Sequence, residues 1–538
     1  MAPVRALVKA EVAAQLARGL PVSCSSLARA SLDVISIARI GALGSAADMA
    51  AAALANSVVR VFALSVFVGL SSATVTLASQ AKGAGDNTQA ALWLHRAFVV
   101  NASFALPMTC LLLLLEPALE FIGEDAQIAS RAGDYCKWLL PSMWAFGAQY
   151  ALSPWLQCFG VVRLPMCASF LMVPVHVALL QLLVSSAGFG VLGAAMASSA
   201  SALIAFATIV TLTYALQRHR IPLRTPSHSS LLRLPTFLKL GLPGVLMLGE
   251  WWASELGILL SGLLPAAATN LASMSVYQGI NSVCFMWPLG ASVAGATRVG
   301  SCLGAGDAIA AKRAATVCVS LAFGYGMLAS LALLMLRETV ARAFTSDEEV
   351  VAAIGHLLPN LVIYVIADSC QVACGAVLQG CGRQRHGGPL VICSYYLVGL
   401  PTGALLAFQF EWGARGIVTG LLAGKMCHFG ALAVLVLTTD WRHQVNDAAK
   451  RVAGEQELKM KPTSEESCAA TLAMVAAVED SPADSTIGIA EPPQCSAESA
   501  AVHVGGGAAK IKESDTKGGR GAASTRYTQF DIEPSTCT

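Results

Sequence analysis

The sequence predicts an all-α integral membrane protein, with twelve transmembrane helices in two six-helix repeats and a disordered C-terminal tail. Three observations predict it. The 538-residue chain is 55% hydrophobic and only 13% charged, against roughly a quarter charged in a soluble domain, and its mean hydropathy is +0.62. Apolar runs of the length a bilayer demands, about 20 residues, recur as far as Leu437. Finally, one stretch is written twice. Gly69-Leu70-Ser71-Ser72-Ala73-Thr74-Val75-Thr76 leads into Ser79-Gln80-Ala81-Lys82-Gly83-Ala84-Gly85-Asp86. Gly290-Ala291-Ser292-Val293-Ala294-Gly295-Ala296-Thr297 leads into Gly300-Ser301-Cys302-Leu303-Gly304-Ala305-Gly306-Asp307.

The copies extend beyond that stretch. Leu20-Pro21 returns as Leu242-Pro243, Leu140-Pro141 as Leu358-Pro359, and Leu156-Gln157 as Leu378-Gln379, at offsets of 218 to 222 residues. A duplication on this scale in an apolar chain is the signature of a secondary transporter built from two related halves.

The spans predicted in order cover residues 14–39, 50–74, 96–116, 135–158, 166–185, 190–215, 240–262, 268–292, 313–336, 353–378, 389–409 and 415–438. This divides the chain into an N-terminal lobe (1–216), a basic linker (217–236), a C-terminal lobe (237–440) and a tail (441–538). Span 1 carries Arg18, Arg29, Asp33 and Arg39, so one side of it must face protein or a wet cavity. Basic residues gather in the loops between even and odd spans: Lys82 and Arg96, Arg163, Arg218 to Lys239, Arg298 to Arg313, and Arg383 with Arg385. Loops after spans 3 and 9 are acidic, with Glu116, Glu120, Glu124, Asp125, Asp347, Glu348 and Glu349. By the positive-inside rule both termini are expected in the cytosol. Six spans per half then place the repeat axis along the membrane normal.

Several function classes are excluded. A net charge of +2 without a basic stripe argues against nucleic acid. The sixteen cysteines sit in apolar segments without zinc or disulfide spacing, and pairs such as Cys370 and Cys374 read as packing. No nucleophile–base constellation suggests an enzyme, and no selectivity-filter repeat suggests a channel. No cofactor is expected beyond a proton gradient or sodium. The expected partners are a small organic substrate and membrane lipid, with the chain acting as a monomer.

Ionisable groups within spans are functional candidates by default. Span 7 carries Glu250 and Glu255, flanking Trp251 and Trp252. Five residues apart on a helix, the two carboxylates diverge by about 140° over roughly 7.5 Å and cannot share one site. Span 10 adds Asp368 and, one turn on, Gln371. A carboxylate in an apolar cavity exchanges protons near neutral pH. Charged, it attracts a cationic substrate; protonated, it releases it. The competing reading makes these acids buried hydrogen-bond partners between helices. Asp33 is the repeat equivalent of Glu255 and also stands one turn after Arg29, in reach of an ion pair. Arg60 lies mid-span, able to pair with Asp33 or to favour an anion. Trp251, Trp252, Tyr277, Trp144 and Tyr150 offer cation–π faces, although aromatics in membrane helices also serve packing. Pro21, Pro243 and Pro288 free carbonyls within their spans.

Together these residues resemble the multidrug and toxin extrusion (MATE) transporters, in particular their eukaryotic branch, over roughly residues 11 to 440. Thr76 to Ala84 looks like the family's loop motif after helix 2, with Ser79 where glycine is usual. Pro288 to Gly300 and Leu303 to Gly306 are similar to its counterpart after helix 8. Glu250-Trp251-Trp252 resembles the acidic motif of helix 7. Val377 to Gln384 looks like the stretch closing helix 10, with Gln379 where arginine is common. The resemblance implies two six-helix lobes in a V with alternating access to a central cleft. It implies export of organic cations, xenobiotics or plant-type metabolites in exchange for protons, or sodium in some bacterial members, at the plasma or vacuolar membrane. It also implies coupling and substrate roles for Glu250, Asp368 and Glu255. Val75 and Arg60 depart from the family pattern, and Tyr277, Gln278 and Asn281 stand where some animal members have an acid. A citrate-like organic acid is the rival cargo, motivated by Arg60 and Arg39. A lipid-linked flippase or a non-transporting membrane protein ranks below both.

Overall fold

A computed structural model describes residues 2–43, 46–123, 125–219, 221–222, 228–344 and 347–460. Glu124, Arg220, Arg224 and the tail beyond residue 460 lie outside the described residues. The N-terminal half comprises α1 (Ala2–Gly41), α2 (Ala46–Val59), α3 (Ser65–Gly83), α4 (Asn87–Leu113), the short α5 (Leu115–Ile122), α6 (Ala126–Cys158), α7 (Arg163–Leu180) and α8 (Gly190–Gln217). The C-terminal half comprises α9 (Leu234–Leu246), α10 (Gly249–Ser261), α11 (Ala267–Gly304), α12 (Ala308–Met335), the short α13 (Arg337–Phe344), α14 (Glu348–Cys381), α15 (Gln384–Val391), α16 (Leu400–Ala404) and α17 (Ala414–Leu437). A last helix, α18, covers Trp441–Met460.

Each predicted span falls on this helical framework. Eight segments are long and apolar enough to cross a membrane by length and composition. The spans outside that set lie on α1, α6, α9 with α10, and α11. Several of these carry the polar groups singled out above, which need protein or water on one side. Spans 2, 5, 7 and 11 are not single regular helices: spans 5 and 11 carry π-helical stretches at Gln181–Ser186, Ile392–Gly399 and Leu405–Gln409. Span 2 passes from α2 to α3 through a π-helical turn, Arg60–Leu64, and such turns widen the backbone where a polar group must be accommodated. Span 7 is broken: Pro243 takes one amide out of the ladder of α9, which closes at Leu246, Met247 and Leu248 form a turn, and α10 restarts at Gly249.

The repeat is visible in the packing. α3 lies on α9 as α11 lies on α1, and α3 crosses α11 between the halves. At that crossing the equivalent glycines of the two motifs face each other's helices. A Cβ on Gly83 would stand 2.1 Å from the Ser301 carbonyl oxygen, and one on Gly304 would stand 2.0 Å from that of Gln80. The duplicated glycines are therefore the condition for the two backbones to meet.

Around this crossing the halves are locked together at the basic end. Thr76 Oγ1 donates to the Gln379 carbonyl at 2.6 Å, and Gln80 Nε2 to that of Gly380 at 3.0 Å. Gln384 Nε2 donates back to Thr76 Oγ1 at 2.7 Å. Gln15 Nε2 reaches the Ala314 carbonyl at 2.8 Å, and Arg298 clasps Glu11 through Nε at 3.0 Å and Nη2 at 2.5 Å.

The expected tail does not begin at residue 441. Asp440 caps α18 by accepting from the Arg442 and His443 amides at 2.9 and 3.2 Å. Trp441, Val445 and Ala448 pack with Val299, Leu303, Ala311 and Cys381, so an apolar face that local composition disguises finds a core to cover. Arg451 Nη1 donates to Gln80 Oε1 of the N-terminal half at 3.2 Å and to the Cys381 carbonyl of the C-terminal half at 3.1 Å. Gln89 Nε2 donates to the Val452 carbonyl at 3.4 Å. The helix straps both halves at the basic end.

Candidate functional site

The break in span 7 places Glu250 in the first turn of α10, where the exposed amide dipoles of a helix start favour a carboxylate. Tyr396 fixes that start by donating from its hydroxyl to the Gly249 carbonyl at 3.0 Å. On α14, Tyr364, Asp368 and Gln371 follow one another at spacings of four and three, and so share a face. Lys425 and His428, three apart on α17, complete the enclosure, together with Tyr395 from the π-helical stretch Ile392–Gly399.

Lys425 is the centre of the group. Its Nζ lies 2.6 Å from Asp368 Oδ1, 2.9 Å from Gln371 Oε1 and 3.1 Å from Glu250 Oε2. An ammonium has three N–H donors, and all three are met. The lysine side chain is 1% exposed, with Glu250 at 8% and Asp368 at 5%. The Tyr395 hydroxyl donates to Glu250 Oε2 at 3.1 Å. The ammonium also stands 4.8 Å from the Tyr364 ring centre and 5.6 Å from that of Tyr395, within cation–π range. Two carboxylates against one ammonium leave the cluster with one excess negative charge when all three are ionised. A single proton removes that imbalance.

Polar capacity remains around the cluster. His428 Nδ1 is 3.8 Å from Glu250 Oε2, with its ring edge-on to Tyr395 at 5.8 Å. Neither ring nitrogen of His428 has a protein hydrogen-bond partner, and the same holds for the buried Tyr277 hydroxyl and Asn281 Oδ1 on α11.

The sequence-predicted residues therefore divide. Glu250, Asp368 and Gln371 meet in one cluster, with Tyr277 beside it. Glu255 is half-buried, stands about 140° round the helix from Glu250 and belongs to none of the described ion pairs. Trp251 packs edge-on against Phe285 at 6.3 Å, and Trp252 donates to Ser65 Oγ of the N-terminal half at 3.3 Å. Gln278 is half-buried one residue on from Tyr277. Asp33 and Arg60 are exposed and lie within electrostatic reach of each other, with Tyr135 near Asp33. Arg29 hydrogen-bonds Ser26 at 3.2 Å, so the sequence neighbour one turn away is not the partner of Asp33. Arg39 donates to Gln181 at 2.8 Å and to Ser185.

Lys425, His428, Tyr364 and Tyr395 are functional candidates that the sequence reading passed over. Lys425 alone carried a signal, as a charge in the middle of the predicted span 415–438.

The MatE family profile matches residues 21–182 and 244–405, one copy in each half. Protein DETOXIFICATION 16 of Arabidopsis thaliana is 32% identical over 453 residues, covering 84% of this chain and 93% of that relative. Protein DETOXIFICATION 12 of the same organism is 31% identical over 437 residues, covering 80% and 90%. Among solved structures, the eukaryotic MATE transporter AtDTX14 superposes with a TM-score of 0.79 at 28% identity, covering 83% of this chain and all of that one. A MOP superfamily transporter from Pyrococcus furiosus shares the fold at a TM-score of 0.72 and 18% identity, covering 82% and 97%. The members of the family are transporters rather than enzymes. With both repeats matched and the relatives covered nearly end to end, this chain belongs to the MATE transporters, in their eukaryotic branch, and is a multi-pass membrane protein of the secondary efflux class.

Proposed function

We propose that this chain is an antiporter that exports a hydrophobic organic cation, xenobiotic or secondary metabolite in exchange for protons, with both termini in the cytosol and the basic end facing it. The observation that carries this reading is the buried Glu250–Asp368–Lys425 cluster, one charge from neutrality. Burying an unbalanced charge is costly, so the cluster gains most from a proton when the surrounding helices close around it. Loss of that proton on the cytosolic side resets it. Such a group alternates between two charge states with the conformation of its lobe, which is what coupling requires. The accessible Asp33 supplies a negative charge where a cation can reach it. The names of the DETOXIFICATION relatives agree with an export role.

Liposomes with an imposed pH gradient test the reading, by following a fluorescent organic cation with wild type beside Glu250→Gln. Gradient-driven uptake in wild type and its loss in the variant is the expected result. Uptake that ignores the gradient would sink proton coupling.

The exposed Arg60 favours one second reading, an organic acid as cargo. Arg60→Ala should then abolish gradient-driven citrate transport, and unimpaired citrate transport in that variant would count against it.

A further inference from the structure

The acceptors around Lys425 Nζ form a complete cation site. Two carboxylates and an amide carbonyl stand at 2.6 to 3.1 Å, and two tyrosine faces close the sides. They come from α10, α14 and the stretch before α16, and only the lysine comes from α17. Chemically, a lysine side chain is n-butylammonium attached to a backbone. The chain has thus placed its own cation where a free monovalent cation would be held. An additional cation would have to displace the ammonium or share an enclosure in which every N–H of Lys425 is already directed at an oxygen. A proton needs neither, since it adds to a carboxylate oxygen already in place.

The geometry points to Lys425 as a tethered cation that sets specificity: it shuts the Glu250–Asp368 pair to sodium and to organic ammonium ions, so this pair exchanges protons alone. The transported cation then binds elsewhere in the cleft, within reach of Asp33. This rests on the proton-coupled reading and sharpens it, because it assigns coupling and cargo to different halves. The groups facing Lys425 are Glu250 from α10, Asp368, Gln371 and Tyr364 from α14, and Tyr395. His428 and Tyr277 flank the enclosure with His428's ring nitrogens and the Tyr277 hydroxyl making no protein hydrogen bond, leaving polar atoms to hold water or a small cation once the ammonium is gone.

The test is binding to the purified full-length protein, read by calorimetry and thermal melting at neutral pH. The probes are n-butylammonium chloride and sodium chloride, against choline chloride at matched ionic strength. Lys425→Ala should bind n-butylammonium about tenfold or more tighter than wild type, and Lys425→Arg, which keeps a cation in place, should behave as wild type. A folded Lys425→Ala that binds no better than wild type overturns the proposal. Removing one partner of a buried pair is strongly destabilising, so Lys425→Met, which keeps the volume, is the second variant. It should gain sodium stabilisation. If neither variant folds, wild type decides: indifference to sodium and n-butylammonium supports the tether, and stabilisation by either overturns it. The two readings fail separately. Absent proton-driven export with n-butylammonium binding to Lys425→Ala rejects the coupling and keeps the tether, and the opposite pair of results rejects the tether alone.

Discussion

At Glu11 burial pushes the carboxyl pKa up, but hydrogen bonds from Arg298 and Gln15, with the Arg298 charge, outweigh it and hold the group below its ordinary value of 4.5. A depressed folded value means stabilisation that is fully present above 4.5 and is lost as the pH falls through the lower folded value. Because Glu11 belongs to the N-terminal half and Arg298 to the C-terminal half, what acid weakens is the clasp between halves. Melting curves of wild type should fall between about pH 3 and pH 5 more steeply than those of Glu11→Gln. At neutral pH the variant should be less stable by about 2 kcal/mol; identical curves would show that the clasp carries no weight. Neither Glu11 nor Lys425 announces its partner in the sequence. Lys425 meets Glu250 across 175 positions and Arg298 meets Glu11 across 287, and pairing at such separation exists only once the helices are packed. What local sequence does show is that a charge inside an apolar run needs an answer, and Lys425 satisfies that test as fully as Glu250 does.

At the scale of elements, the spans were legible because hydropathy depends on composition over a window, and window sums survive small errors in boundaries. Breaks and extensions were not. α4 begins at Asn87, well ahead of the apolar run that marks span 3, because its first turns rest on protein rather than lipid. The break between α9 and α10 leaves the hydropathy of residues 240–262 unchanged, yet it gives Glu250 a helix start of its own. The duplicated motif was legible as a repeat, while its purpose becomes plain only at the crossing of α3 and α11. Gly83→Ala or Gly304→Ala puts a methyl group against a carbonyl oxygen that cannot rotate away. Each should weaken the closed basic end by about 1–3 kcal/mol, read as a lower melting temperature and faster alkylation of Cys381. A variant with unchanged melting and unchanged Cys381 labelling would mean the crossing is looser than its contacts.

For the whole molecule, the basic end is a single lock assembled from both halves, and α18 lies across it. The Cys381 thiol is buried and the helix covers it, so alkylation of this one residue reports whether the strap is seated. Truncation after Asp440 should expose Cys381 to maleimide, scored residue by residue in a mass spectrum because Cys110, Cys167, Cys393 and Cys427 are already exposed. Arg451→Ala should give part of that effect, since it removes the donor shared by Gln80 and Cys381. Protection that survives truncation would show that the halves close without help from α18.

If the halves part at the basic end during transport, a helix that touches both of them is a shared ligand of the two states. Whatever holds α18 away from the surface shifts the balance between the two states by its difference in affinity for them. Reciprocity requires that the cycle, in turn, changes how often α18 is offered to such a binder. The C-terminal helix is thereby both a dial and a gauge: a contact whose loss shifts the balance between the states also registers which state is occupied.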